Sequence, residues 1–322
     1  MRMALSLGIL TTALFASGAA AQGFPSKPVR LITLTPAGGA LDILARTLAQ
    51  KLSDSFGQPI LVENRTGAGG NIGDEIVAKA APDGYTIGMN TSSTHGINPS
   101  LYGKAMPFDA IKDFAPITLA AELKNVVVIH PSIPATSIQD LIRYARANPN
   151  KISFGSAGSG TSQHLAGEMF KMATGTQMTH IAYKGAAQAI PDLISGQIQL
   201  MFVSIPDALP HIKSGKLRAI GVTSKERSTA LPDQIPVAEQ GLKDFDVRAW
   251  FGVVAPAGTP RDIVSRYNTE IVRILAQTDV RARLASIGLD PVTMSPDQFA
   301  AFIREEIAKW APVVKASGAT VD

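Results

Sequence analysis

No cysteine occurs anywhere in the 322 residues, which excludes disulfides and a lipid tether through an N-terminal cysteine. Stability must then come from a large core, and the length suffices for two domains of common size. Aromatic residues make up only 6% of the chain, and no lysine–arginine cluster interleaves with them, so the footprint of a nucleic-acid binder is missing. The formal net charge of +4 is compatible with an anionic small ligand but barely argues for one. Several catalytic signatures are missing too. The glycine run from Gly67 has Ile72 where a dinucleotide fingerprint needs its last glycine, and Thr161 stands where a phosphate loop needs lysine. No G-x-S-x-G elbow supports a serine nucleophile. His164 and Glu168 are one helical turn apart, but no third zinc ligand accompanies them. No metal and no cofactor are called for.

One long uncharged stretch is present. Arg2 precedes Ala4–Ala21, which ends in Ala19-Ala20-Ala21, the pattern of a secretory signal cleaved after Ala21. A retained membrane span is the rival reading, disfavoured by the Ser, Gly and Thr content of the stretch. No second span follows, so an exported protein diffusing freely in a bacterial periplasm is expected.

Strands then alternate with helices, which predicts an α/β fold with largely parallel sheets. Val29, Leu31, Ile32 and Leu34 form an apolar strand, Pro36-Ala37-Gly38-Gly39 breaks the period, and Leu41, Leu44, Ala45, Leu48 and Leu52 recur at helical spacing. The backbone N–H groups at such a helix start make a ready anion site, although a plain turn gives the same pattern. The design returns at Ile152-Ser153-Phe154, the turn Gly155–Ser162 and a helix over Gln163–Met172. That turn is a neutral cradle of N–H and O–H donors, suited to a carboxylate. Strands are predicted at 117–119 and 126–129, and hydroxyl-capped helices after Thr136-Ser137, Thr259-Pro260 and Ser295-Pro296, the last two finishing the chain.

The order of motifs resembles the Bug-type (TctC-like) substrate-binding proteins of the tripartite tricarboxylate transporters. The matching stretches include PSKPVRLI, GQPILVENRTGAGGNIG, KAAPDGYT, THGINPSLY, KDFAPIT, HLAGE, YKGAAQA, LPHIKSGKLRAI and WFGVVAPAGTP, spread over nearly the whole chain. The resemblance implies a type II periplasmic-binding-protein fold, with two α/β domains and a ligand cleft between them. Domain one would be 22–123 plus 248–322, and domain two 124–247, inserted between its halves. Hinges would lie near Leu123–Val126 and Asp246–Trp250. The function implied is capture of a small organic anion and its delivery to the membrane subunits of the transporter, by a monomer that is not an enzyme.

Carried over position by position, the ligand residues would be Pro36, Ala37, Gly38, Gly39, Ala40 and Asp42, then Thr91, Ser92, Ser93 and His95 on domain one. On domain two they would be Ser156, Gly158, Ser159, Gly160, Thr161, Ser162, His164, Tyr183, Ser204 and Asp207. Ala37, Ala40, Leu41 and Val203 depart from residues common in the family and mark where selectivity should be set. Asp42 sits where a carboxylate caps its helix, with an ammonium-bearing ligand as the other reading, and Asp207 where it would meet a ligand amine or hydroxyl or merely cap. Two other classes remain open, a periplasmic enzyme using His164 or Tyr183 and a receptor serving a sensor partner.

Overall fold

Alternating apolar strands and amphipathic helices build both halves of the chain, and one long strand joins them. The computed structural model describes residues 23–320. In chain order, the first half holds β1 (Val29–Thr33), α1 (Ala40–Phe56), β2 (Ile60–Asn64), α2 (Asn71–Ala78), β3 (Thr86–Thr91), a π-helical turn (Ser93–Ile97) and α3 (Asn98–Leu101). Then come β4 (Phe114–Ile129), α4 (Ile138–Ala147), β5 (Ser153–Ser156), α5 (Ser162–Thr174), β6 (Thr179–Ala182), α6 (Ala186–Ser195), β7 (Leu200–Ser204), α7 (Ile205–Lys213) and β8 (Arg218–Val222). The chain returns through β9 (Arg248–Pro256), α8 (Arg261–Leu275), α9 (Thr278–Ala285), β10 (Leu289–Pro291) and α10 (Pro296–Ser317). The sheet runs β2-β1-β3-β9-β4-β7-β5-β6, with β8 and β10 both pairing to β4 off that path.

Two separate strands were expected where β4 runs unbroken for 16 residues. The charges of Glu122 and Lys124 hide its continuation in the sequence. Both are answered in the fold, Glu122 by Arg248 at 3.0 Å and Lys124 by Asp290 at 3.3 Å. The part of β4 up to Lys124 pairs with β9, and from Asn125 onward it pairs with β7 and β8. Each half of the sheet is thus a lobe with its own apolar packing, and β4 belongs to both.

The end of the chain also differs from expectation. Three helices close it rather than two, because α9 buries only Val280 and Leu284 and so carries almost no periodic signal. Pro260, not Thr259, occupies the N-cap of α8, and the Thr259 hydroxyl donates to the Pro256 carbonyl at 2.8 Å. Ser295 does form the expected capping box with Gln298. Helix α10 straddles the lobes: Phe299 and Ile303 pack in the first, while Trp310, Val313 and Val314 join the core of the second. Between them the buried Glu306 accepts hydrogen bonds from the indoles of Trp250 at 2.9 Å and Trp310 at 3.2 Å.

Gly167 in α5 tests packing against propensity. Alanine there gains about 1 kcal/mol of helix propensity. Its Cβ, however, would lie 2.2 Å from the Phe154 ring, which is itself fully buried. Overpacking of that kind costs about 1–3 kcal/mol. Gly167→Ala should therefore lower the urea midpoint, against the helix scale, and a raised midpoint would show that Phe154 yields.

Candidate ligand site

The turn after β1 leaves Pro36, Ala37, Gly38 and Gly39 exposed, with Gly38 at φ +90, a conformation that favours glycine. Gly39 is the N-cap of α1 and supplies no side-chain cap, so the first-turn N–H groups point out of the helix end with no hydroxyl or carboxylate on them. Asp42 is buried and faces backward. Its carboxylate accepts from Gly38 N–H at 2.9 Å, Arg46 at 2.9 Å and Asn64 at 2.7 Å. Burial opposes its charge, but those three donors outweigh burial and hold its pKa below the usual range. Asp42 is thus a brace for the turn, with its donors all within the protein.

On the second lobe, the turn between β5 and α5 is held by its own side chains. The Ser156 hydroxyl donates to Gly158 C=O at 3.0 Å and accepts Gly158 N–H at 3.2 Å. Thr161, the N-cap of α5, donates to Gly158 C=O at 2.7 Å and accepts from His164 N–H at 3.3 Å. Gly158 and Gly160 have φ of +140 and +72. The N–H groups of Ala157, Gly158, Gly160 and Thr161 all donate within the loop and its helix, so the loop is self-braced and presents the exposed Ser159 outward.

The two lobes meet at a cavity of about 260 Å³, where Ser93 faces Ser159, Gly160 and Thr161. Gly69, Asn98, Leu101, Tyr102 and Thr320 also line it, and the described lining carries no charged side chain. These five were not anticipated. A signal for Gly69 exists in the crowding of glycines at 67, 69 and 70, where φ stays positive through Gly67, Ala68, Gly69 and Gly70. Asn98 ties that loop down, donating to Gly69 C=O at 3.4 Å and to Asn71 Oδ1 at 2.8 Å.

The other expected residues fall into different environments. Thr91 is half-buried and its hydroxyl accepts Thr94 N–H at 3.2 Å, whereas Ser92 is buried. His95 is fully buried, its ring 4.6 Å from Phe114 and its Nδ1 3.4 Å from Asp74. The Tyr183 phenol donates to Asp192 at 2.7 Å, and burial followed by that bond pushes its pKa up to about 12. Ser204, the N-cap of α7, is buried and donates to Asp207 in the first turn of that helix, and Asp207 lines a separate hollow beside Ile190, Ile194 and His211. Of the four departures, Leu41 is 2% exposed and Val203 is 0% exposed, so both are core residues, and only Ala37 and Ala40 reach the surface. Among the described residues no group of three or more His, Cys, Asp or Glu could hold a metal ion. His164 Nε2 lies 3.8 Å from Glu168, whose oxygens are taken by Lys171 at 2.8 and 2.9 Å.

Residues 44–319 match the family described as tripartite tricarboxylate transporter family receptor. The chain is 37% identical over 320 residues to Protein BugT of Bordetella pertussis, covering 99% of this chain and 98% of that protein. Among solved structures it resembles Rpa4515 of R. palustris with adipate, at 35% identity and TM-score 0.77, covering 92% of this chain and 99% of the other. It also resembles MatC from Rhodopseudomonas palustris with bound malate, at 30% identity and TM-score 0.72, covering 90% and 100%.

Proposed function

The chain belongs to the tripartite tricarboxylate transporter receptor family, and on that premise we propose that it closes around a small organic carboxylate in the periplasm and delivers it, as a monomer, to the membrane subunits of such a transporter. The family is one of solute-binding receptors rather than enzymes. The fold is that of the TctC-type periplasmic binding proteins. Residues 1–21, where a cleavable signal is expected, lie outside the described residues. No helix of the described residues is long and apolar enough to cross a membrane.

The cavity at Ser93 and Ser159–Thr161 carries this reading. It joins the two lobes and offers hydroxyl and N–H donors, and among the described residues no carboxylate lines it. A carboxylate would sit on the first-turn N–H groups of α1 and α5, with the hydroxyls of Thr91, Ser93, Ser159 and Ser162 beside it and Thr161 holding the turn. Ser92, Ser156, His95, His164 and Ser204 would support those groups from within. The two-domain division at 22–123 plus 248–322 and 124–247 belongs to the same proposal. Its support is the ladder: Lys124 opposite Arg248 is the last β4–β9 pair, and Asn125 opposite Ser204 is the first β4–β7 pair. Closure would be a hinge motion there, favoured by contacts that a ligand makes with both lobes at once.

Thermal melting of the mature protein against mono-, di- and tricarboxylates, amino acids and aromatic acids tests the reading. Adipate and malate are the first to try, since solved relatives hold them. A cognate acid at 100 times its Kd should add about 2.7 kcal/mol of stability, a rise of several degrees. No shift with any carboxylate, and a clear shift with a neutral or cationic solute, would overturn it.

A further inference from the structure

Beneath the β5–α5 turn, the imidazoles of His164 and His180 stack with ring centroids 3.7 Å apart and planes within 11°. His164 Nδ1 accepts the N–H of Gly160 at 3.0 Å, and His180 Nε2 lies 2.7 Å from the Ser156 hydroxyl. Each ring therefore touches a residue of the loop, His164 at Gly160 and His180 at Ser156. Phe154 of β5 lies against His180 with centroids 5.0 Å apart and against His164 at 6.4 Å. The charged groups facing the pair are Glu168 and Lys171, both on α5 and paired with each other.

Resting on the reading that this loop holds the ligand, we propose that His164 and His180 are its positioning residues, and that the loop keeps its ligand-ready shape only while His164 is neutral. The chemistry is specific to one nitrogen. A neutral His164 with bare Nδ1 accepts from Gly160, leaving its proton on Nε2 toward Glu168. A second proton must go on Nδ1, which sets two donors against each other and frees Gly160, a residue at φ +72. It also places a cation face to face with His180. Burial, then the neighbouring His180 and Lys171, hold His164 down to about 4, and burial followed by Lys171 does the same for His180. With folded-state pKa values below the ordinary one, the brace is intact above about pH 6.5 and is lost as pH falls through about 4.

Asparagine can place its side-chain oxygen near the Nδ1 position and cannot take a charge, whereas phenylalanine removes the acceptor. Amide hydrogen exchange at Gly160 is measured on the ligand-free protein, and adipate affinity by calorimetry, from pH 7.5 to 3.5, in wild type, His164→Asn and His164→Phe. Wild type should lose Gly160 protection and adipate affinity as pH falls. His164→Asn should keep protection at every pH, and since adipate's own protonation is common to all three proteins, its affinity should fall less steeply than that of wild type. His164→Phe should exchange faster and bind at least about tenfold more weakly even at pH 7.5. Equal Gly160 protection in wild type and His164→Phe, or equal pH profiles in wild type and His164→Asn, would overturn the proposal. Failure of wild type to bind adipate or any other carboxylate would overturn the receptor reading instead, while the exchange measurement still decides the brace.

Discussion

Gly160→Val should weaken carboxylate capture while leaving a folded protein. Two costs add at this position. A side chain held at a left-handed φ costs about 1–2 kcal/mol, and a β-branched one sits at the upper end. The Cβ would also lie 2.6 Å from Leu101 Cδ2. Leu101 comes from the first lobe but packs against the core of the second. It is half-buried and borders the cavity, so its tip can swing aside only into the space between the lobes, and the remaining strain falls on their approach. An open apo form can relieve it, whereas a closed liganded form cannot, and the cost appears as lost affinity. The φ cost is common to both forms and lowers the apo melting temperature, whereas the contact with Leu101 should weaken adipate or malate binding about tenfold, near 1.4 kcal/mol. The steric cause is separable: Leu101→Ala in the Gly160→Val background should recover part of the affinity. Undiminished binding by Gly160→Val would remove this loop from the site.

Arg248→Met should produce the largest loss of stability from a single charge. Arg248 lies at the crossing between lobes, 3.0 Å from Glu122, 3.3 Å from Asp246 and 3.5 Å from Glu226. Glu122 is 3% exposed, and burial already raises its pKa even with Arg248 pulling the other way. Removing the guanidinium leaves a buried carboxylate without its cation, which costs about 3–5 kcal/mol. The pH dependence identifies the cause. A carboxyl whose folded-state pKa lies above its unfolded value weakens the fold most when it must be ionised, and Arg248→Met raises that pKa further. The deficit against wild type should be full at pH 7 and shrink as pH falls and Glu122 takes up a proton. Urea unfolding at pH 7 and pH 5 checks both parts. A deficit independent of pH would assign the loss to packing of the arginine stem.

Much of this was readable from local pattern. The strand–glycine–helix units at Val29–Leu52 and Ile152–Met172, the capping box at Ser295 and the α/β class depend on spacing within about ten residues. Periodicity and caps act over that range. The family motifs were readable for the same reason, as short strings in a fixed order. The continuity of β4 was not, because Glu122 and Lys124 look like a strand end until Arg248 and Asp290, more than a hundred residues away, supply their partners. Helix α9 escaped notice because two buried residues make no stripe.

The site divides along the same line. Sequence by itself determined that two neutral, glycine-rich helix starts exist, that neither carries a lysine, a nucleophile or a metal set, and that a carboxylate suits them. Only the tertiary structure decided which side chains can touch a ligand. It turned Asp42 onto Gly38, Arg46 and Asn64, and tied Tyr183 to Asp192. It sank Leu41, Val203 and His95 into the core, and it set Leu101 and Tyr102 in the wall opposite Ser159. The physical reason is that a residue type states which bonds a group can make, whereas burial and distant partners state which of them remain free.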